Sequence, residues 1–130
     1  MARMIIVDDD ADIRLLLREI LERAGHQIVA EADDGDAVVS LVAEHRPDLV
    51  ILDIGMPGRD GLTALRHIML RDPSLNVIMC SASGTQGHVV DALRYGAKDF
   101  IPKPFKPSRV RAAVERVLAE TKSEPEAEAE

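Results

Sequence analysis

Short apolar runs alternate along the chain with longer segments in which apolar residues recur at helical spacing. The runs lie at residues 4–7, 28–32, 49–52, 77–80 and 100–101. Short apolar runs bounded by polar residues and turn signals are typical of strands that are buried on both faces. The pattern therefore predicts five strands.

The segments between the runs have the period of an amphipathic helix. In the first, apolar residues fall at positions 13, 16, 17, 20, 21 and 24, and Gly25 stands where a helix commonly ends. Similar spacing recurs within 38–42, 62–69, 89–93 and 110–118, and Pro107 suits the first turn of the last helix. Strands alternating with helices predict a doubly wound α/β fold, with a parallel sheet covered on both faces and right-handed crossovers.

The amino-acid composition limits the classes of function that the chain can have. Hydrophobic residues make up 46% of the 130 residues and aromatic residues 2%, so one domain can bury a core, and that core is aliphatic. Few aromatic side chains and a net charge of -7 argue against direct nucleic-acid binding.

The last ten residues differ in composition from the rest. Residues 121–130 are acidic and of low complexity, so we predict a domain at 1–120 followed by a disordered tail. The single cysteine, Cys80, cannot form an internal disulfide and is interpreted as a core residue. No apolar stretch approaches the roughly 20 residues of a membrane span, and no signal-peptide pattern is present. We expect a cytoplasmic protein that does not bind membranes.

Polar side chains follow the predicted strands. They are Asp8, Asp9 and Asp10 after the first, Asp33 and Asp34 after the second, Asp53 after the third, Ser81 and Ser83 after the fourth, and Lys103 after the fifth. Ligands of open parallel α/β sheets bind at this edge. Taken singly, each residue has an ordinary explanation: Asp10 or Asp12 and Asp34 as helix N-caps, the serines as caps of the fourth helix, Lys103 as a solvated lysine.

Their joint placement points to one site. Carboxylates from the first and third strand ends repel each other unless a cation relieves them, and Mg²⁺ prefers such oxygen ligands. A lysine beside a metal site is useful where a phosphoryl group must also be held. The sequence thus predicts a magnesium-dependent phosphoryl site at this edge.

At this point the chain resembles a response-regulator receiver domain of two-component signalling. The matching segments are Val7-Asp8-Asp9, Asp53 with Met56-Pro57 and Asp60-Gly61, Ser81-Ala82, Gly96-Ala97 and Lys103-Pro104-Phe105. Residues 80–84 and 96–110 are most similar to single-domain receivers of the chemotaxis type. The resemblance implies a flavodoxin-like sheet of strand order 2-1-3-4-5 with five helices, which sends Asp33 and Asp34 to the sheet's edge.

The resemblance also implies a role for each matching residue. Asp53 is the expected phosphoacceptor, Lys103 the phosphate-binding lysine, Ser81 the switch hydroxyl and Phe100 the switch aromatic residue. Asp8, Asp9, Asp53 and the carbonyl of Gly55 are the expected Mg²⁺ ligands, and the Lys103-Pro104 bond is expected to be cis.

The resemblance further implies a signalling cycle. A histidine kinase or phosphotransfer protein donates the phosphoryl group, and a downstream protein binds the surface of the fourth helix, fifth strand and fifth helix. We expect a monomeric regulatory phosphoacceptor rather than an enzyme.

Four alternatives compete with this interpretation. The chain could be a receiver fragment of a larger regulator, or a degenerate receiver that binds partners without phosphorylation. A phosphatase of the haloacid dehalogenase type would need an acid at position 55, which is glycine. A flavin-binding module would need a phosphate loop after the first strand, where three aspartates stand.

Overall fold

Strands and helices alternate as predicted in the computed structural model, which describes residues 2–55, 61–82 and 86–129, with the backbone alone for 86–88 and 122–129. The strands are β1 (Arg3–Val7), β2 (Gln27–Ala32), β3 (Leu49–Asp53), β4 (Asn76–Ala82) and β5 (Asp99–Lys103). The helices are α1 (Ala11–Arg23), α2 (Val38–His45), α3 (Gly61–Arg71), α4 (Gln86–Arg94) and α5 (Pro107–Ala129), and a short 3₁₀ helix, Gly35–Ala37, precedes α2.

The strands form one parallel sheet in the order β2-β1-β3-β4-β5, which confirms the flavodoxin-like topology. The central strand β3 is buried along its whole length, because both of its edges are paired and both of its faces are covered. β2 is an edge strand, so Asp33 and Asp34 lie away from the sheet's centre, as expected.

Successive residues of each strand point to opposite faces of the sheet, where they pack into two aliphatic cores. Ile5 and Val7 of β1 face a core that α2, α3 and α4 cover, whereas Met4 and Ile6 face a core that α1 and α5 cover. Each core stabilises the frame by roughly 25 cal/mol for every Å² of apolar surface that it removes from water. The strand ends are therefore held from both sides.

The helix ends follow capping rules that the sequence signals. Asp10 caps α1 by accepting hydrogen bonds from the backbone N–H groups of Asp12 and Ile13, and Asp34 caps the 3₁₀ helix. α1 ends at Arg23 with Ala24 as its C-cap, and the next residue, Gly25, has φ +93°. The N–H of His26 donates to the carbonyl of Leu21 at 3.0 Å, which completes a Schellman motif.

α4 ends in the same motif and is fixed against α3 at that point. Gly96 has φ +114°, and the N–H of Ala97 donates to the carbonyl of Ala92 at 3.0 Å. A Cβ at Gly96 would lie 3.2 Å from the Cε of Met69 in α3. Just before it, the ring of Tyr95 lies 5.0 Å from the guanidinium carbon of Arg66, also in α3.

α5 is longer than expected. It begins at Pro107, as predicted, but its backbone continues to Ala129, through the segment that we expected to be a disordered tail. The high helix propensity of Glu and Ala accounts for this continuation. The boundary between domain and tail at residue 120 stays a prediction. Met56, Pro57, Asp60 and Ser83, which contributed to the sequence interpretation, lie outside the described residues.

Gly61 begins α3 directly against the backbone that follows β3. Its N–H donates to the carbonyl of Ile54 at 2.8 Å. A Cβ at this position would overlap the carbonyl oxygen of Asp53 and lie 2.6 Å from the Cα of Ile54. Because these are backbone atoms, they cannot turn aside as a side chain could, so only glycine fits.

We expect Gly61→Ala to lower the free energy of unfolding by about 3 kcal/mol, since the added methyl group displaces the backbone at Asp53. Gly55→Ala is the matched control, because no described atom lies within 4 Å of a Cβ there. Its effect should stay within about 0.5 kcal/mol. Urea unfolding of both variants measures the difference, and equal midpoints would contradict this account of Gly61.

Candidate phosphoryl-acceptor site

Asp53 ends the central strand and is 5% exposed. Its Oδ1 accepts a hydrogen bond from the N–H of Gly55 at 3.2 Å, and the strand register sets Asp53 beside Cys80 of β4. A carboxylate at the end of a rigid, fully buried strand has little freedom to move. Its direction is therefore set by the sheet.

Lys103 lies between two of the acids. Its Nζ is 2.7 Å from Oδ2 of Asp8 and 3.6 Å from Oδ2 of Asp53. Lys103 belongs to β5 rather than following it, because the pairing of β4 with β5 continues as far as Ala82 and Lys103. The Lys103-Pro104 bond is cis, as expected from the resemblance.

Asp8, Asp9 and Asp53 form the cluster that the sequence predicted. One carboxylate oxygen from each lies within 4.8 Å of the other two, with Asp8 and Asp53 buried and Asp9 exposed. Oδ1 of Asp8 also accepts a hydrogen bond from the N–H of Asp10 at 2.9 Å. Three hard oxygen donors with one open side suit a small divalent cation that keeps some of its water, as Mg²⁺ does. The residues present fit the expected ion.

The pKa values of Asp53 and Lys103 reflect the crowding of charges at this site. Burial and the charge of Asp8 raise the pKa of the Asp53 carboxyl, although Lys103 and the N–H of Gly55 oppose the shift. Burial by itself lowers the pKa of Lys103, but the hydrogen bond to Asp8 and the charges of Asp8 and Asp53 outweigh it, and the pKa is raised. The raised pKa of Lys103 favours its charged form, whereas the raised pKa of Asp53 disfavours ionisation of its carboxyl.

The two predicted switch residues occupy different positions. Ser81 is 4% exposed and lies within β4 rather than after it, in register with Pro102 of β5 and one residue beyond Cys80. Phe100 is half-buried and packs against the core under α2, α3 and α4. Ser81 therefore stands on the strand next to Asp53, and Phe100 on the strand beyond it.

Cys80 is a core residue, as predicted. It is 1% exposed, and burial raises the pKa of its thiol to about 12. The thiol stays protonated at neutral pH and takes no part in the acid cluster.

Sequence reasoning did not single out Arg14 or Glu31. Arg14 in α1 donates from Nη1 to the backbone carbonyl of Asp8 at 2.6 Å, and its Nε lies 3.5 Å from Oε1 of Glu31 in β2. One signal was available: Glu31 is the one charged residue in the otherwise apolar run 28–32.

Comparisons with known proteins identify the family of this chain. A family model described as the response regulator receiver domain matches residues 4–115. The chain belongs to this receiver-domain family. Receiver domains are phosphoacceptor signalling switches, so the family favours this function over the phosphatase and flavin-binding alternatives.

Similar receiver proteins include chemotaxis proteins of nearly the same length. The chemotaxis protein CheY of Bacillus subtilis is 48% identical over 116 residues, which cover 89% of this chain and 97% of that protein. CheY of Listeria monocytogenes is 50% identical over 116 residues, with 89% and 98% covered.

Solved structures of receiver proteins have the same fold. A crystal structure of a CheX–CheY complex with BeF3 and Mg²⁺ from Borrelia burgdorferi matches with a TM-score of 0.85 and 39% identity, covering 88% of this receiver and 87% of that chain. NtrX of Brucella abortus matches with a TM-score of 0.90 and 38% identity, covering 98% of this receiver but 29% of NtrX. In the part of this receiver that the structure describes, no helix is long and apolar enough to span a membrane.

We expect Asp53→Asn to raise the free energy of unfolding by about 1 kcal/mol in the absence of Mg²⁺. A carboxyl whose pKa is raised on folding destabilises the native state whenever it is ionised, and the amide removes that charge. Excess Mg²⁺ should then stabilise the wild type more than the variant. Urea titrations at neutral pH measure both effects.

Asp33→Asn is the control for loss of an acid after a strand, because Asp33 is exposed at the sheet's edge. The urea unfolding midpoint of Asp33→Asn should match that of the wild type. An Asp53→Asn variant less stable than the wild type would contradict the account of crowding.

Proposed function

We propose that this receiver accepts a phosphoryl group on Asp53 from a phosphohistidine of a partner kinase or phosphotransfer protein, and then presents an altered α4–β5–α5 surface to a downstream protein. The observation that carries the proposal is the placement of Asp53. Its carboxylate lies at the centre of the sheet's edge, 3.6 Å from the ammonium group of Lys103 and within the acid cluster.

Asp53 acts as the nucleophile. One of its carboxylate oxygens forms a bond to phosphorus while the bond between phosphorus and the histidine nitrogen breaks, and the leaving imidazole takes up a proton. The product is an acyl phosphate. A water molecule that later attacks phosphorus releases inorganic phosphate and restores the carboxylate, so the signal ends without a further enzyme.

The carboxylates of Asp8, Asp9 and Asp53 and the carbonyl of Gly55 are the proposed Mg²⁺ ligands. When bound, the ion supplies positive charge against the oxygens of the transferring phosphoryl group. Asp8 has a second task, because it holds Lys103 at 2.7 Å before any phosphoryl group arrives.

Lys103 binds the phosphoryl oxygens, since its ammonium already faces Asp53. Ser81, on the neighbouring strand, donates its hydroxyl to a phosphoryl oxygen and draws the end of β4 toward Asp53. In our proposal this movement makes room for Phe100 to turn further into the core, and the new charge biases an equilibrium between two arrangements of the switch.

The α4–β5–α5 surface carries the apolar groups that a partner needs. Val90 and Leu93 of α4 are 55% and 49% exposed, and Tyr95 follows them at 37%. Arg109 of α5 donates a hydrogen bond to the backbone carbonyl of Phe100 at 3.1 Å. A change at Phe100 therefore reaches α5 as well as α4. The similarity to CheY proteins supports chemotaxis as the pathway and the cytoplasm as the place of action.

Acetyl phosphate with Mg²⁺ should add one phosphoryl group to the wild type and none to Asp53→Asn, since the amide is not a nucleophile at phosphorus. Intact-mass analysis measures the adduct, and omission of Mg²⁺ should abolish it. Asp33→Asn serves again as the control and should be modified like the wild type. An unmodified wild type, or equal modification of Asp53→Asn, would sink the proposal.

Chemotaxis is tested separately, in a Bacillus subtilis strain that lacks its own CheY. We expect expression of this receiver to restore spreading in soft agar, and Asp53→Asn not to restore it. If neither spreads at equal expression, the chemotaxis assignment fails, whereas the assignment of Asp53 depends on the mass measurement.

A further inference from the structure

Every polar group of Asp8 has a hydrogen-bond partner. The N–H of Asp8 donates to the carbonyl of Ala32 at 3.1 Å, and both carboxylate oxygens have donors within 2.9 Å, from Asp10 and Lys103. Its carbonyl oxygen accepts from Nη1 of Arg14 at 2.6 Å. That carbonyl belongs to the peptide plane from which the Cα of Asp9 continues.

Asp9 depends on this plane for its direction. It is exposed, and no hydrogen bond or ion pair to its carboxylate is found among the described side chains. Its carboxylate nevertheless lies within the acid cluster. Since no described side chain forms a hydrogen bond or ion pair with it, the direction of the Asp9 side chain depends on the backbone at residues 8 and 9.

Arg14 is itself held from a second strand. Its Nε lies 3.5 Å from Glu31 of β2, and the side chains of Arg14 and Glu31 are 21% and 22% exposed. β1 pairs with β2 as far as Val7 and Ala32, with a register shift between Met4 and Ile5. The N–H of Asp8 extends this pairing to the carbonyl of Ala32, so Glu31 and Asp8 lie at the same end of one ladder. The guanidinium group of Arg14 thus connects the first turn of α1 to the ends of β1 and β2.

We propose that Arg14 is a positioning residue for the metal site: braced by Glu31, it fixes the Asp8–Asp9 peptide and so directs the Asp9 carboxylate toward the bound cation. The inference depends on the proposed function, in which Asp9 is a Mg²⁺ ligand. Residues that orient a metal ligand without touching the metal typically change the metal affinity about 10-fold to 100-fold when they are removed.

The charge of Arg14 would act in the opposite direction. A guanidinium near a cation site repels the cation, so removing the charge alone strengthens Mg²⁺ binding. Loss of positioning weakens it. The sign of the change in affinity therefore separates the two roles.

The test is calorimetric titration of Mg²⁺ into the folded protein without a phosphodonor. Arg14→Met removes the charge and the donors and keeps the length of the apolar stem. We expect its Kd for Mg²⁺ to rise about 10-fold. Arg14→Lys, which restores the charge and one donor to the Asp8 carbonyl, should recover most of the affinity.

Arg18→Met is the matched control. Arg18 lies one turn further along α1 and also pairs with Glu31, and with Glu22, but it has no contact with Asp8 among the described residues. Its loss removes the same charge from the same helix. We expect a Kd within about 2-fold of the wild type, because exposed ion pairs contribute little.

Unchanged or tighter binding by Arg14→Met, or equal weakening by Arg18→Met, would overturn the inference and leave Asp53 as the phosphoacceptor. If the wild type binds no Mg²⁺, the inference and the proposed metal site fall together. If Arg14→Met does not fold, Glu31→Gln tests instead whether the ion pair with Glu31 holds Arg14 in place. It should weaken Mg²⁺ binding and speed hydrogen exchange at the N–H of Asp10, and a wild-type Kd for Glu31→Gln would overturn the inference.

Discussion

Mutual repulsion among three carboxylates is the constraint on which the rest of this structure depends. Asp8, Asp9 and Asp53 converge at the carboxyl edge of the sheet, and Lys103 is the cation that contacts two of them. Such a cluster opposes folding when its charges are not relieved. The same excess of negative charge offers oxygen ligands to a divalent cation, so in the proposed function stability is given up where chemistry is gained.

The aliphatic frame makes this imbalance tolerable. β3 is buried on both faces, and two cores hold the sheet from either side. Close-packed interiors deform little, so the buried Asp8 and Asp53 cannot relax apart. Gly61 shows how closely the frame approaches the site, because α3 begins against the backbone of Asp53 itself. The packed sheet therefore fixes the positions of Asp53 and Lys103, which belong to β3 and β5.

Much of this was readable from the sequence, because it depends on periodicity and on strand ends. Apolar runs and helical spacing predicted the alternating elements, and parallel strands bring Asp8, Asp53 and Lys103 to one edge. The contact of Arg14 with the Asp8 carbonyl was not readable, since backbone acceptors leave no pattern in the sequence. The length of α5 was also missed, because acidic composition and helix propensity point in opposite directions there.

The end of α4 has a consequence for how a signal could leave the site. Gly96 packs against Met69, and Tyr95 contacts Arg66, so the last turn of α4 is pinned to α3. A helix that is anchored at one end turns about that end more readily than it slides along its axis. In the proposed function, a rearrangement of α4 would therefore turn about Gly96, and the larger displacement would fall at its first residues, which follow β4 in the chain. The proposed phosphoryl site would then act on the end of α4 that moves most.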